Sequence, residues 1–183
     1  GAVSPGSKLL LAVGRLAARK GYGTLIRGFS ALNKEMPNTK LVIVGRGHLK
    51  RRLMRLAKSL GVGEDITIES SLSFAELAQL YRSSDLVVYP SFYEGQGLIP
   101  LEAMASGVPV VTVDHGPLPE MVDESVGALF TMGNIESMVS VMKEVLKAGR
   151  KKGEKGRARV LQKFTYSGNA ESFENIYLEA INR

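Results

Sequence analysis

Six short apolar runs, separated by segments of helical period, constrain this chain more than any other feature of its sequence. The runs are KLLLAV (8–13), KLVIVG (40–45), ITI (66–68), DLVVYP (85–90), VPVVTV (108–113) and VGALF (126–130). Several are unbroken stretches of Val, Leu and Ile, the pattern of strands covered on both faces. Such strands belong to parallel sheets, and a parallel neighbour is reached only through a crossover, usually a helix. The intervening segments supply those helices. Tyr22, Leu25, Ile26, Phe29 and Leu32 fall on one helical stripe, Leu49, Leu53, Leu56 and Leu60 on a second, and Phe74, Leu77, Leu80 and Tyr81 on a third. After the last run the pattern is helical only. Ile135, Met138, Val139, Met142 and Leu146 share one face, and a final helix is predicted near 167–182 with Phe173, Ile176, Tyr177 and Ala180. The expected fold is α/β: one doubly wound parallel sheet over 8–165 with a helical C-terminal tail over 166–183. A chain of 183 residues suffices for one such domain. Residues 1–7 read as a linker or vector remnant.

Composition narrows the chemistry. There is no Cys, which excludes disulfides and thiolate metal sites, and the only two His, His48 and His115, are not in metal-ligand spacing, so no metal is expected. No apolar run is long enough to span a bilayer, and a cytoplasmic location is expected. The net charge of +6 is concentrated in Arg46 to Lys58 and Lys143 to Lys163, both read as helices with basic outer faces. That excess suits phosphate-bearing ligands, and peripheral contact with an anionic membrane is a further expectation. No aromatic-basic interleaving accompanies it, so nucleic acid is not an expected partner.

In an open parallel sheet, ligands bind in the crevice beyond the carboxyl ends of the strands. The relevant loops are 14–21, 45–48, 69–73, 90–97 and 114–119, and they hold most of the unusual glycines and polar residues. The first, GRLAARKG, opens at Gly14 and carries Arg15 and Lys20, two cations placed either to meet an anion or to face solvent. The second, GRGHLK, has Gly45 and Gly47 after a strand, but Lys50 where a dinucleotide fingerprint needs its third glycine. Those two glycines imply close backbone approach, to a ligand or only to the next helix. The segment around 90–97 says most. Glu94, Gly95, Gln96, Gly97 and Leu98 lead into a helix whose first turn accommodates Pro100. Free amides there favour an anion. Glu94 and Glu102 flank that helix start and would repel phosphate, so they suit sugar hydroxyls instead. A diphosphate with a sugar at each end, which is a nucleotide sugar, has the matching shape.

Residues 9–183 resemble the C-terminal, donor-binding domain of GT-B-fold retaining glycosyltransferases, the family 4 or group 1 set. The family's two glutamates separated by seven residues stand here in EGQGLIPLEAMASGVPVV. VGRLAARKG, KLVIVGRG, ELAQLYRSSDLVVYPS and HGPLPEMV follow in family order. The resemblance implies a Rossmann-like half of a GT-B fold. It implies that Arg15 and Lys20 hold the donor diphosphate and that Glu94 meets the transferred sugar, with these three as the catalytic set. It also implies donor contacts from Gly14, Gly95, Gln96, Gly97 and Leu98, a ribose contact from Glu102, and a base site near Gly45, Gly47, Ser71 and Leu72. Gln96 replaces a common aromatic, Ile99 and Pro100 shift the usual proline, and Glu69 to Ser71 replaces an FxG-like stretch.

The function so implied is retaining hexosyl transfer from a UDP-, GDP- or ADP-sugar, without a cofactor, to an acceptor held by a missing N-terminal domain. That acceptor is a polysaccharide, a lipid-linked sugar or a small molecule. The last helix is expected to pack on the same absent domain, and the fragment is expected to bind nucleotide weakly and transfer nothing by itself. The competing readings are a GT-B synthase, phosphorylase or epimerase, a nucleotide-binding module without turnover, and an NAD-binding domain resting on GRG alone.

Overall fold

The computed structural model describes residues 6–181, and residues 1–5 of the expected N-terminal remnant lie outside it. Six strands run β1 (Lys8–Val13), β2 (Thr39–Val44), β3 (Ile66–Glu69), β4 (Leu86–Tyr89), β5 (Val110–Val113) and β6 (Gly127–Phe130). All pair in parallel in the order β3-β2-β1-β4-β5-β6. The helices are α1 (Tyr22–Glu35), α2 (Lys50–Ser59), α3 (Phe74–Ser83), α4 (Leu98–Ala105), α5 (Leu118–Met121), α6 (Ile135–Ala148), α7 (Lys151–Lys163) and α8 (Tyr166–Ile181), with a 3-10 turn at Ala18–Lys20. No described helix is long and apolar enough to cross a membrane.

Alternate strand residues feed two cores, which is why the apolar runs are unbroken. Leu10, Ala12, Val88 and Val111 pack with Phe29 of α1, Leu53 of α2 and Met142 of α6 on one face. Leu11, Val87 and Val110 pack with Tyr81 of α3, Met104 of α4 and Val160 of α7 on the other. Four predicted stripes are thereby accounted for, with one exception. Phe74 is 88% exposed. It is the first residue of α3, directly after the cap Ser73, whose side chain accepts from the Glu76 amide in a capping box. The stripe reaches the core only from Leu77 onward. The final stripe also faces outward: Phe173 and Tyr177 are exposed on α8, as are Leu178 and Ile181, while the Ile176 side chain lies outside the described residues.

The basic run over α7 is not a uniformly solvated face. Arg157 donates to the carbonyl of Ala105 at the end of α4, and Arg150 to that of Arg82 in the last turn of α3, at 2.8 Å. A cation at a helix C-terminus meets the negative end of the dipole. Arg159 donates to Met121 O at 3.0 Å and Ser125 Oγ at 2.9 Å, and pairs with Asp123 at 2.7 Å. Burial works to raise the Asp123 pKa, but the hydrogen bonds from Ser125 and Arg159 outweigh it and hold it at about 2 against an ordinary 3.8. A depressed folded-state pKa adds stability above the ordinary value and loses it as pH falls toward the depressed one. Asp123→Asn should therefore lower the melting temperature at pH 7, with the gap to wild type closing between pH 4 and pH 2. Thermal unfolding at stepped pH checks this, and a gap that stays constant down to pH 2 refutes it.

Candidate active site

The sheet grows outward in both directions from the β1–β4 pair, so the strand order reverses there. At such a point the two connecting loops diverge to opposite faces and leave a crevice at the carboxyl edge. The loops after β1 and β4 border it and are joined by the Phe92 amide, which donates to Arg19 O at 2.8 Å. This joint sits between the two charged residues that matter most.

Lys20 ends the 3-10 turn and is buried, only 9% exposed. Its Nζ donates to Tyr89 Oη at 2.8 Å and to Glu94 Oε2 at 2.6 Å, and lies 5.1 Å from the centre of the Tyr89 ring. Tyr89 Oη also donates to Glu94 Oε2. Burial works to raise the Glu94 pKa, but the bonds from Lys20 and Tyr89 win and hold it below the ordinary carboxylate value. Burial, reinforced by the Glu94 carboxylate, pushes the Tyr89 hydroxyl well above its usual range, so it stays a proton donor at neutral pH. An ammonium has three N–H donors, of which two are occupied here, leaving one for an anion in the crevice.

Glu102 stands on α4, exposed, and accepts from Tyr81 Oη at 2.9 Å. The structure thus brings Lys20 and Glu94 into direct contact, while Glu102 is held separately. Arg15 is exposed and its side chain makes no hydrogen bond or ion pair among the described residues. Gly97, left-handed at φ 69°, starts α4, and Pro100 lies in its first turn. The Leu98 and Ile99 amides have no partner among the described residues. Gly95, Gln96, Leu98 and Glu102 line a cleft of about 770 Å³ with Met121 and Phe164. Lys20 and Glu94 are not among its walls.

The base-site residues are arranged otherwise than for direct contact alone. A Cβ on Gly45 would lie 1.9 Å from Gly14 O, and one on Gly47 would lie 2.4 Å from Leu16 O. The glycines of GRG therefore answer to the backbone of the first loop, which packs against them too closely for a side chain. Leu72 packs partly into the second core, and Ser71 is exposed. Between them and β2, Arg46 donates to Ser70 O at 3.0 Å and Lys50 to Ser70 Oγ at 2.8 Å. Among described residues no cluster of three or more His, Cys, Asp or Glu could hold a metal ion.

Two participants escaped the sequence reading, Tyr81 and Tyr89. Tyr81 lay in a helical stripe and Tyr89 within an apolar run, so each counted as core. The hydroxyl of each was the only available signal.

Comparison with known proteins agrees with the fold. The profile of the family "Glycosyl transferases group 1" matches residues 2–160. An uncharacterized glycosyltransferase of Methanocaldococcus jannaschii is 39% identical over 128 residues, covering 70% of this chain and 33% of its own length. A GDP-mannose-dependent alpha-(1-6)-phosphatidylinositol monomannoside mannosyltransferase of Mycolicibacterium smegmatis is 31% identical over 158 residues, covering 82% of this chain and 41% of its own. The chain thus spans well under half the length of these relatives. Among solved structures, the C-terminal domain of a glycosyl transferase group 1 family protein from Francisella tularensis superposes with a TM-score of 0.79 at 26% identity, covering 87% of this chain and 88% of that one. With a profile match over most of its length and the sheet of a GT-B half, the chain belongs to the glycosyl transferases group 1 family.

Proposed function

We propose that this domain binds a nucleoside-diphosphate sugar and forms the donor half of a retaining hexosyltransferase whose acceptor site lies on another domain of a longer protein. The observation that carries the reading is Lys20, a buried ammonium with one N–H free, in contact with Glu94 at the switch point of the sheet. On this reading Lys20 and Arg15 stabilise the leaving diphosphate together with the Leu98 and Ile99 amides, and Glu94 meets hydroxyls of the transferred sugar. Glu102, on the wall of the neighbouring cleft, takes the ribose. The diphosphate leaves as negative charge grows on its oxygens and positive charge on the sugar, and fixed cations and amides aimed at the negative charge lower the barrier. The donor in the printed name of the mycobacterial relative, GDP-mannose, supports a nucleotide-sugar ligand for this chain. The exposed Phe173, Tyr177, Leu178 and Ile181 of α8 support a helix that packs on that other domain.

The test is thermal shift of the 183-residue chain against UDP-, GDP- and ADP-hexoses, the matching diphosphates, and NAD, since a ligand that prefers the folded state must stabilise it. One nucleoside-diphosphate series should raise the midpoint. Glu102→Ala should weaken that binding about 10- to 100-fold, the size of a lost hydrogen bond to a charged group. Preference for NAD, or a Glu102→Ala chain that binds like wild type, would overturn the assignment.

A further inference from the structure

The two glutamates are not held alike by chance packing. Each has its own buried tyrosine. Tyr81 Oη reaches Glu102 Oε2 at 2.9 Å, and Tyr89 Oη reaches Glu94 Oε2. The pairs are nested: Tyr81 and Tyr89 stand eight residues apart, as do Glu94 and Glu102, and the outer members pair with each other as do the inner ones. The nesting has a structural origin, because the chain turns back after β4, so that α4 returns beside the element before β4 and the loop between them lies beside β4 itself. Both tyrosines are 3% exposed. In each carboxylate the phenol bonds one oxygen, Oε2, and on Glu94 that oxygen also accepts from Lys20, with Ser91 adding a further hydrogen bond to the same carboxylate.

We propose that Tyr89 and Tyr81 are positioning residues, each tethering one oxygen of its glutamate so that the other is presented to ligand hydroxyls, Tyr89 on the hexose side and Tyr81 on the nucleoside side. A carboxylate at the end of a three-torsion side chain would otherwise sample solvent-facing rotamers, and a fixed acceptor loses less entropy when it binds. Tyr89 serves two partners, since its hydroxyl also accepts from Lys20. The cation and the carboxylate are thereby held on one side chain. Burial keeps both phenols protonated, so each stays a donor across the physiological range.

The inference rests on the donor-binding reading above, and the experiment separates the two. Calorimetric titration of the 183-residue chain uses GDP with GDP-mannose and UDP with UDP-glucose. In Tyr89→Phe the diphosphate affinity should stay within about threefold, while the ratio of sugar-nucleotide to diphosphate affinity falls about fivefold or more. In Tyr81→Phe both affinities should fall together by about the same factor, leaving the ratio unchanged. Because Tyr81 acts through its carboxylate, adding Tyr81→Phe to Glu102→Ala should change nothing further, and adding Tyr89→Phe to Glu94→Ala should leave the ratio of sugar-nucleotide to diphosphate affinity where Glu94→Ala alone puts it. The Tyr81 arm stands if Tyr89→Phe fails to fold. A wild type that binds none of these four compounds, nor ADP or ADP-glucose titrated in the same way, overturns the donor-binding reading and this inference with it. A wild type that binds, with ratios unmoved in Tyr89→Phe or fully additive double variants, overturns this inference alone.

Discussion

In the complete transferase, Lys20→Ala is expected to reduce transfer by about two to three orders of magnitude, the cost of deleting one preorganised donor aimed at developing negative charge. The size follows from placement. The ammonium is buried between Tyr89 and Glu94, so its field is screened by little water, and its third N–H is the one available to a leaving phosphate. In the 183-residue chain the same variant should weaken nucleoside diphosphate binding roughly tenfold or more, as for a lost charged hydrogen bond. Lys20→Arg should not restore activity. A planar guanidinium cannot place one nitrogen 2.8 Å from Tyr89 Oη and 2.6 Å from Glu94 Oε2 without displacing the ring that Lys20 now overlies. Arg15→Ala, at an exposed position without a protein partner, should cost less than Lys20→Ala. Equal losses, or a fully active Lys20→Ala enzyme, would contradict the proposed division of labour.

The largest stability effect is expected at Gly45. An alanine there would place its Cβ 1.9 Å from Gly14 O and 2.9 Å from Gly14 C, and backbone atoms cannot yield as a side chain would. Nor can the two loops part easily. Gly14 N–H donates to Val44 O at 2.9 Å, Leu16 N–H to Arg46 O at 2.8 Å, and Gly45 N–H to Glu69 O at 2.8 Å. Overpacking of this kind costs about 3 kcal/mol or more where the surroundings cannot relax. For a domain of this size that corresponds to a fall in melting temperature on the order of 10 °C. Because the displaced loop carries Lys20, nucleotide affinity should fall as well. Gly95→Ala is the counterpart. A Cβ there meets nothing within 4 Å and the backbone is not left-handed, so stability should hold while any loss appears in ligand binding alone. Scanning calorimetry of the two variants side by side checks the pair, and equal melting temperatures would refute the steric account.

Much of the architecture was legible from local pattern. Unbroken runs such as LVVY and PVVTV announce burial on both faces, and burial on both faces of short strands requires crossovers and a parallel sheet. The stripe from Tyr22 to Leu32 and Pro100 in a first turn are equally local, because helix period and proline placement are properties of a few neighbouring residues. So is the pair of glutamates around a glycine-rich helix start. Phe74 shows where that local logic ends, since a correct period says nothing about whether the first turn yet overlies the sheet.

The amino-acid sequence by itself determined the strands, the helices and the set of loops that gather at one edge of the sheet. Only the tertiary structure decided that β1 lies beside β4, that Lys20 is buried while Arg15 five residues earlier is not, that GRG fits against the first loop, and that the α7 cations close the ends of α3 and α4. The same is true of the phenols on Glu94 and Glu102. The reason is one of range. Periodicity and capping are settled within a turn or two of chain, whereas each of these contacts joins groups brought together by strand pairing and helix packing, and no short window of residues records which distant partner will arrive.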